Sequence, residues 1–229
     1  MTNTLPLGEW SPAARRLIVT AERLFAEHGL GGVSLRQIAH ESGTANHSAV
    51  HYHFESKDGL VAAILAYRLP QIIRERRMLV RRWDGSDVHT RLEAHFLPIF
   101  ELAEDPENRY VAFVEQLQRH EPTVRSFTDL PADLQASNEE FNRDLHVLLG
   151  DLEEPLRRLR IAQTVALCLH AAADRDIAVA AGSHTTELDL FVSSVLDGAS
   201  GYLTAPPSAA TRQRIGSVRE RTTSPLRPI

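Results

Sequence analysis

The stretch VSLRQIAHESGTANHSAVHYHFESKDGL, residues 33–60, decides how the rest of the chain is read, because it carries the start and stop signals of two short helices and the start of a third. Ser34 precedes a helix-period run and Gln37 follows three residues later. At that spacing the hydroxyl takes an orphan backbone N–H and the amide reaches back to the cap. Leu35, Ile38 and Ala39 form an apolar side, and Gly43 stands where a helix passes into the left-handed conformation. After a tight turn, Asn46 is placed to cap the next helix. There Ala49, Val50 and Phe54 face inward at helical spacing, while His47, Ser48, His51 and Tyr52 face outward. An outward face so rich in hydrogen-bonding groups needs water or a partner.

Two short helices around a Gly turn, the second carrying short polar and aromatic donors, are the parts of a DNA-reading helix-turn-helix, but an ordinary helical hairpin has the same spacing. Longer motifs separate the two. Ser34 to Gly43 matches a "T-x-x-x-I-A-x-x-A-G" helix, Tyr52-His53-Phe54 matches a recognition helix ending "Y-H-F", and Ser56 to Leu60 matches "S-K-x-x-L". In these elements and this order the chain resembles the N-terminal domain of the TetR/AcrR family of transcriptional regulators. The resemblance runs from Ser11 to about Tyr67, and Gly43 to Phe54 is one residue longer than the family's usual spacing, so Thr44-Ala45 extends the turn.

That resemblance implies a homodimeric repressor that binds double-stranded operator DNA and is released by a small-molecule ligand held in a helical C-terminal domain. On the matching positions it assigns Tyr52 and Lys57 to phosphates. Thr44, Asn46, His47, Ser48 and His51 are assigned to the groove, with Ser34 and Arg36 of the preceding helix also facing DNA. The rival reading is a helical small-molecule-binding or enzymatic protein that does not touch DNA.

Composition bounds these expectations. The chain has 229 residues, 43% hydrophobic and 24% charged, which is ordinary for a soluble protein with a substantial core. No window approaches eighteen uninterrupted apolar residues and MTNTLPLGEW lacks the pattern of a signal peptide, so a cytoplasmic protein with no membrane partner is expected. The net charge of −5 is the wrong sign for a surface that embraces nucleic acid as a whole, so DNA binding must rest on a local patch. Lys57 is the single lysine among 25 basic residues. Cys168, the single cysteine, lies in the apolar run TVALCLHAAA and reads as a small buried hydrophobe.

Along the chain every periodic segment is helical, which gives an all-α fold. We expect a three-helix DNA-binding domain at 11–60, a helical ligand-binding and dimerisation domain at 61–205, and a flexible tail at 206–229. Ser11-Pro12 starts the first helix, whose stripe is Ala14, Leu17, Ile18, Ala21, Leu24 and Phe25. Pro70 is expected to kink or break the helix that Ser56 caps, and Pro106 to begin another. The five arginines between Arg74 and Arg82 read as a solvated face or a second phosphate surface. Residues 122–134 read as a loop, and Thr185 or Thr186 as the cap of the last helix. Two long apolar helices within 153–203 have more apolar surface than one small domain can bury, which points to a homodimer through them, with Leu196 in the interface.

Phe96, Phe100, Tyr110, Phe113 and Gln116 are the candidate ligand-binding residues, although the same aromatics would serve an ordinary core. His47 and His51 are four apart, but no third ligand accompanies them, and His170 with Asp174 reads as a core or interface pair, so no metal site is expected. No nucleophile elbow, phosphate loop or dinucleotide fingerprint is present, so neither catalytic residues nor a cofactor are expected.

Overall fold

The computed structural model describes residues 10–44, 49–83, 87–120 and 132–215. Over these it consists of helices α1 (Pro12–Gly32), α2 (Leu35–Glu41), α3 (Ala49–Phe54), α4 (Lys57–Val80), α5 (Val88–Leu102), α6 (Tyr110–His120), α7 (Ala132–Leu148), α8 (Glu154–Ala180) and α9 (Leu188–Thr204). Residues 209–215 are also helical, and there is no strand among the described residues.

The helix starts have local causes. Ser11 Oγ accepts from the Ala14 N–H at 3.2 Å, Ser34 Oγ from Gln37 N–H at 3.1 Å and Ser56 Oγ from Gly59 N–H at 3.0 Å, so each serine satisfies one of the orphan donors of a first turn. The reciprocal half of the expected box at Ser34 is missing, because the Gln37 amide turns forward to Glu41 Oε1 at 3.1 Å. Asp87 caps α5 through the Thr90 N–H at 2.9 Å, and those backbone donors hold its carboxyl below the usual range. Gly43 has φ +69°, the left-handed residue that ends the α2 turn.

Helices α1, α2 and α3 close over one small core with the first turns of α4. Leu17, Ile18, Phe25, Ile38, Val50, Phe54 and Leu60 are all buried there. Trp10, just before α1, packs on Phe54 with ring centroids 6.1 Å apart. These first helices are not a separate bead on a linker. Helix α1 packs on α6, with Phe25 and Phe113 stacked at 6.2 Å, so a single apolar core runs from Ala14 to Leu203.

Several sequence expectations are corrected. Of the two outcomes expected at Pro70 the break does not occur: α4 runs on to Val80, since one missing N–H leaves only the Ala66 carbonyl without its intrahelical donor while the packed apolar side continues. Pro106 does not begin a helix. Asn108 instead accepts from the Tyr110 N–H at 2.7 Å and starts α6 there. Helix α7 begins at Ala132, inside the expected loop, whereas residues 121–131 lie outside the described residues. The residue before α9 is Glu187, with no side-chain cap, rather than Thr185 or Thr186. Ser208 caps the helical segment at 209–215, so the first part of the expected tail is ordered.

Candidate nucleic-acid interface and cavity of the helical domain

The outward face of α3 is exposed. Tyr52 is 84% accessible, with its ring edge-on to His53 at 5.1 Å. His51 Nδ1 lies 2.8 Å from the Glu55 carbonyl oxygen, which can only accept, so Nδ1 carries the proton and a neutral His51 presents Nε2 as an acceptor. Thr44 is partly buried, with Oγ1 2.8 Å from Ser42 Oγ, and so belongs to the turn more than to the surface. Ser34 is spent on its cap, and Arg36 is exposed on α2. Asn46, His47 and Ser48 lie outside the described residues.

The seat of α3 is built from backbone. Glu55 has φ +62°, and the Ser56 N–H donates to the Phe54 carbonyl at 2.6 Å. A Cβ on Gly59 would stand 2.0 Å from that carbonyl oxygen, so only glycine lets α4 start so close behind α3. Lys57 is half-buried, and its Nζ donates to the Leu30 carbonyl at 2.8 Å. Its first role is to tie α4 to the end of α1, which leaves two of its three donors for a phosphate.

In the helical domain a cavity of about 230 Å³ lies between α4, α5, α6, α7 and α8. Its walls are mainly apolar, with Leu69, Ile72, Phe96, Ile99 and Val165 among them, and its polar members are Arg76, His95, Tyr110, Gln118, Asn138 and Asn142. Of the expected lining residues, Phe96 and Tyr110 are here. Phe100 and Phe113 are core, packed on Phe191 at 5.6 Å and on Phe25 at 6.2 Å. Gln116 faces another cleft, beside Glu115, His170 and Asp174.

Sequence reasoning missed Arg76, whereas His95, which stands among the candidate aromatics in the sequence, does line the cavity. Arg76 is 7% exposed, which overturns the solvated reading of that arginine run at this position. Its Nε donates to the His95 carbonyl at 2.9 Å and its Nη1 reaches Asn138 Oδ1 at 3.5 Å. Burial, with little from neighbouring charge, lowers its guanidinium to about 10. The His95 ring stacks on Phe141 at 3.9 Å, and burial followed by the charges of Arg76 and Arg91 pushes it well below its ordinary value, so it is neutral. Cys168 is buried and its thiol is pushed up to about 12, an inert packing residue. His170 stands at the surface, 3.6 Å from Asp174 and 3.4 Å from Glu115. Among the described residues no group of three or more His, Cys, Asp or Glu is placed to hold a metal ion, and no helix is long and apolar enough to cross a membrane.

A buried junction ties α1 to α4, to the start of α6 and to α8. Glu22 of α1, fully buried, accepts from Arg68 Nε and Nη2 of α4, each at 2.9 Å, and from the Arg109 N–H at 3.1 Å. Asp176 of α8 accepts from the Ala112 N–H at 3.1 Å and lies 3.4 Å from Arg109 Nη1.

Comparison with known proteins agrees with this geometry. The family model of bacterial regulatory proteins, tetR family, matches residues 17–64, which are α1 through the first turns of α4. Over those residues the chain is similar to the N-terminal domain of TetR-family regulators. It is 29% identical over 146 residues to the HTH-type transcriptional repressor AcnR of Corynebacterium diphtheriae, a match covering 55% of this chain and 74% of that protein. It is 33% identical over 114 residues to the HTH-type transcriptional repressor KstR2 of Rhodococcus jostii, covering 50% of this chain and only 54% of that protein. Among solved structures, the fatty acid degradation regulator FadR of Bacillus halodurans superposes with a TM-score of 0.55 at 17% identity, covering 86% of this chain and 98% of that one. The ketosteroid transcriptional regulator KstR2 of Mycobacterium tuberculosis superposes at 0.53 with 20% identity, covering 83% and 96%. At those identities the structures establish the shared all-α fold and nothing finer.

Proposed function

We propose that this chain is a TetR-family regulator, a cytoplasmic homodimeric repressor and not an enzyme, which reads operator DNA with α3 and lets go when a small ligand fills the cavity of its helical domain. The observation that carries this reading is α4 itself. One unbroken helix of 24 residues begins against the end of α3 and passes Leu69, Ile72 and Arg76 into the cavity wall. A ligand that prefers one tilt of α4 therefore moves the reading head. Two α3 helices of a dimer must stand about 34–36 Å apart to enter successive major grooves. Coupling of about 1–3 kcal/mol would change DNA affinity roughly 5- to 150-fold, and operator must weaken the ligand by the same factor. That both curated relatives are named repressors supports the sign.

Within α3 and its seat, the proposed phosphate contacts are Tyr52 and Lys57. The groove contacts are His51 with Thr44, Asn46, His47 and Ser48. The dimer face proposed is the exposed side of α8 and α9, where Leu159, Leu167 and Ile177 stand on one helix and Leu190 and Tyr202 on the other. Ser194, Gly198 and Gly201, exposed between the latter two, would let a partner helix approach closely. Leu196, expected in this interface, is 1% exposed within the protomer, so Leu196→Glu would disrupt the core rather than the dimer.

Fluorescence anisotropy on DNA flanking the chain's own gene, titrated with salt, tests the whole reading, and no binding at low salt overturns it. Lys57→Ala should weaken all sequences alike and reduce the salt slope by about one unit, whereas His51→Ala should cost about 1–3 kcal/mol at particular base pairs. Leu167→Glu should give folded monomers with poor operator binding. An unchanged sedimentation coefficient for that variant would remove this face from the interface.

A further inference from the structure

Four arginines are buried among the described residues: Arg76, Arg91, Arg160 and Arg175. Arg91 Nε pairs with Asp144 at 2.8 Å and Arg175 pairs with Glu104. Arg160 donates to the Leu203 carbonyl at 3.0 Å and to Ala205, at the C-terminal end of α9, where the helix dipole supplies negative potential. Arg76 has neither compensation. Its partners are a mid-helix carbonyl and an amide oxygen at 3.5 Å, and no described carboxylate pairs with it. A buried cation left in this state is unfavourable unless something else completes it.

Its surroundings say what that is. Arg76 and His95 line the apolar cavity on one side, and on the other a cleft of about 250 Å³ that also holds Arg77, Arg91, Ser137 and Arg143. The acids of that cleft are Asp133, which is exposed and paired to Arg77 at 2.9 Å, and Glu140, also exposed. Arg91 Nη1 is buried with no hydrogen-bond partner, an orphaned cationic donor beside the same cleft. Apolar wall and unfilled guanidinium thus meet at one residue.

We infer that the effector of this cavity is an amphiphile with an anionic head group, a carboxylate or a phosphate, bound by Arg76 where cavity and cleft join, with its hydrocarbon body among Leu69, Ile72, Phe96 and Val165. The inference rests on the cavity being the effector site proposed above. A planar guanidinium fork matches either oxyanion head through paired, charge-assisted bonds. The body is small. An apolar cavity of about 150 Å³ holds benzene, so about 230 Å³ holds roughly nine carbon atoms by the same packing.

The test titrates octanoate, octyl phosphate and octan-1-ol into the full-length protein by calorimetry, for the wild type, Arg76→Met and Arg76→Lys. Wild type should bind at least one of the anions about tenfold or more tightly than the alcohol, and the order of the two anions identifies the head. Arg76→Met should erase that preference while still binding octanol, and Arg76→Lys should keep most of it. Without ligand, Arg76→Met should melt above the wild type, because it removes an uncompensated buried charge; should it fail to fold, Arg76→Gln serves for the titrations. Equal binding of all three by the wild type overturns the anionic head and leaves the cavity as an effector site. A preference that survives Arg76→Met overturns the assignment to Arg76. No binding of any of the three overturns both this inference and the effector reading on which it stands.

Discussion

The two halves of α4 bury charge in opposite ways. Near its middle, Arg68 meets Glu22 through two hydrogen bonds of 2.9 Å, and Glu22 also takes the Arg109 N–H, so the carboxylate is satisfied from a second helix and a turn at once. Two turns later Arg76 is as deeply placed and has no charged partner among the described residues. The first arrangement locks α1, α4 and the start of α6 together. The second leaves the cavity end of the same helix incomplete. A regulator needs both, because a rigid lever with every group satisfied has no state for a ligand to favour.

The largest expected effect comes from breaking the satisfied half. Glu22→Ala would leave Arg68 and the Arg109 N–H without an acceptor in a buried setting, and should destabilise the protein by about 3–5 kcal/mol in chemical denaturation. A loss below about 1 kcal/mol would show that the junction is a solvated contact, and the contrast with Arg76 would collapse. Next in size is the start of α4. Gly59→Ala puts a methyl group on the Phe54 carbonyl, so the turn must open. We expect a cost of about 1–3 kcal/mol, and a loss of DNA binding larger than the loss of stability accounts for, because α3 is displaced from its seat. Operator affinity that follows stability alone would mean that the seat does not position the reading helix.

What the sequence makes legible follows the same division. Ser11, Ser34, Gly43 and Ser56 act within three or four residues of themselves, so the outline of the head could be read from spacing. The cavity depends on packing across the chain. Arg76 sits in a run of arginines that looks solvated, and its burial is set by His95 and Asn138, which are 19 and 62 residues away. Aromatic residues at helical spacing do not distinguish a cavity wall from a core, which is why Phe96 and Tyr110 line the space while Phe100 and Phe113 fill the interior. Gln116 and Gln118 are two residues apart on α6 and so point to nearly opposite sides; Gln118 is the one at the cavity.

The smallest effect we predict sharpens the satisfied half by asking how complete it is. Asp176 shares Arg109 with the Glu22 junction, and burial, outweighing its backbone donors and Arg109, pushes its carboxyl up to about 6. A folded value above the unfolded 3.8 means that the native state holds the proton more tightly. This contribution to stability is fully present below the unfolded value and is lost as pH rises through about 6. His95 works the other way: its folded value is depressed, so unfolding is favoured as pH falls below 6.5 and the unfolded chain protonates. The two overlap in one window, and only a difference between proteins separates them. Asp176→Asn keeps an acceptor for the Ala112 N–H and removes the titration, so its melting temperature relative to the wild type should rise between about pH 4.5 and pH 7.5. A difference that stays flat across that range would mean that Asp176 is as well compensated as Glu22, and would sharpen the contrast between this junction and Arg76.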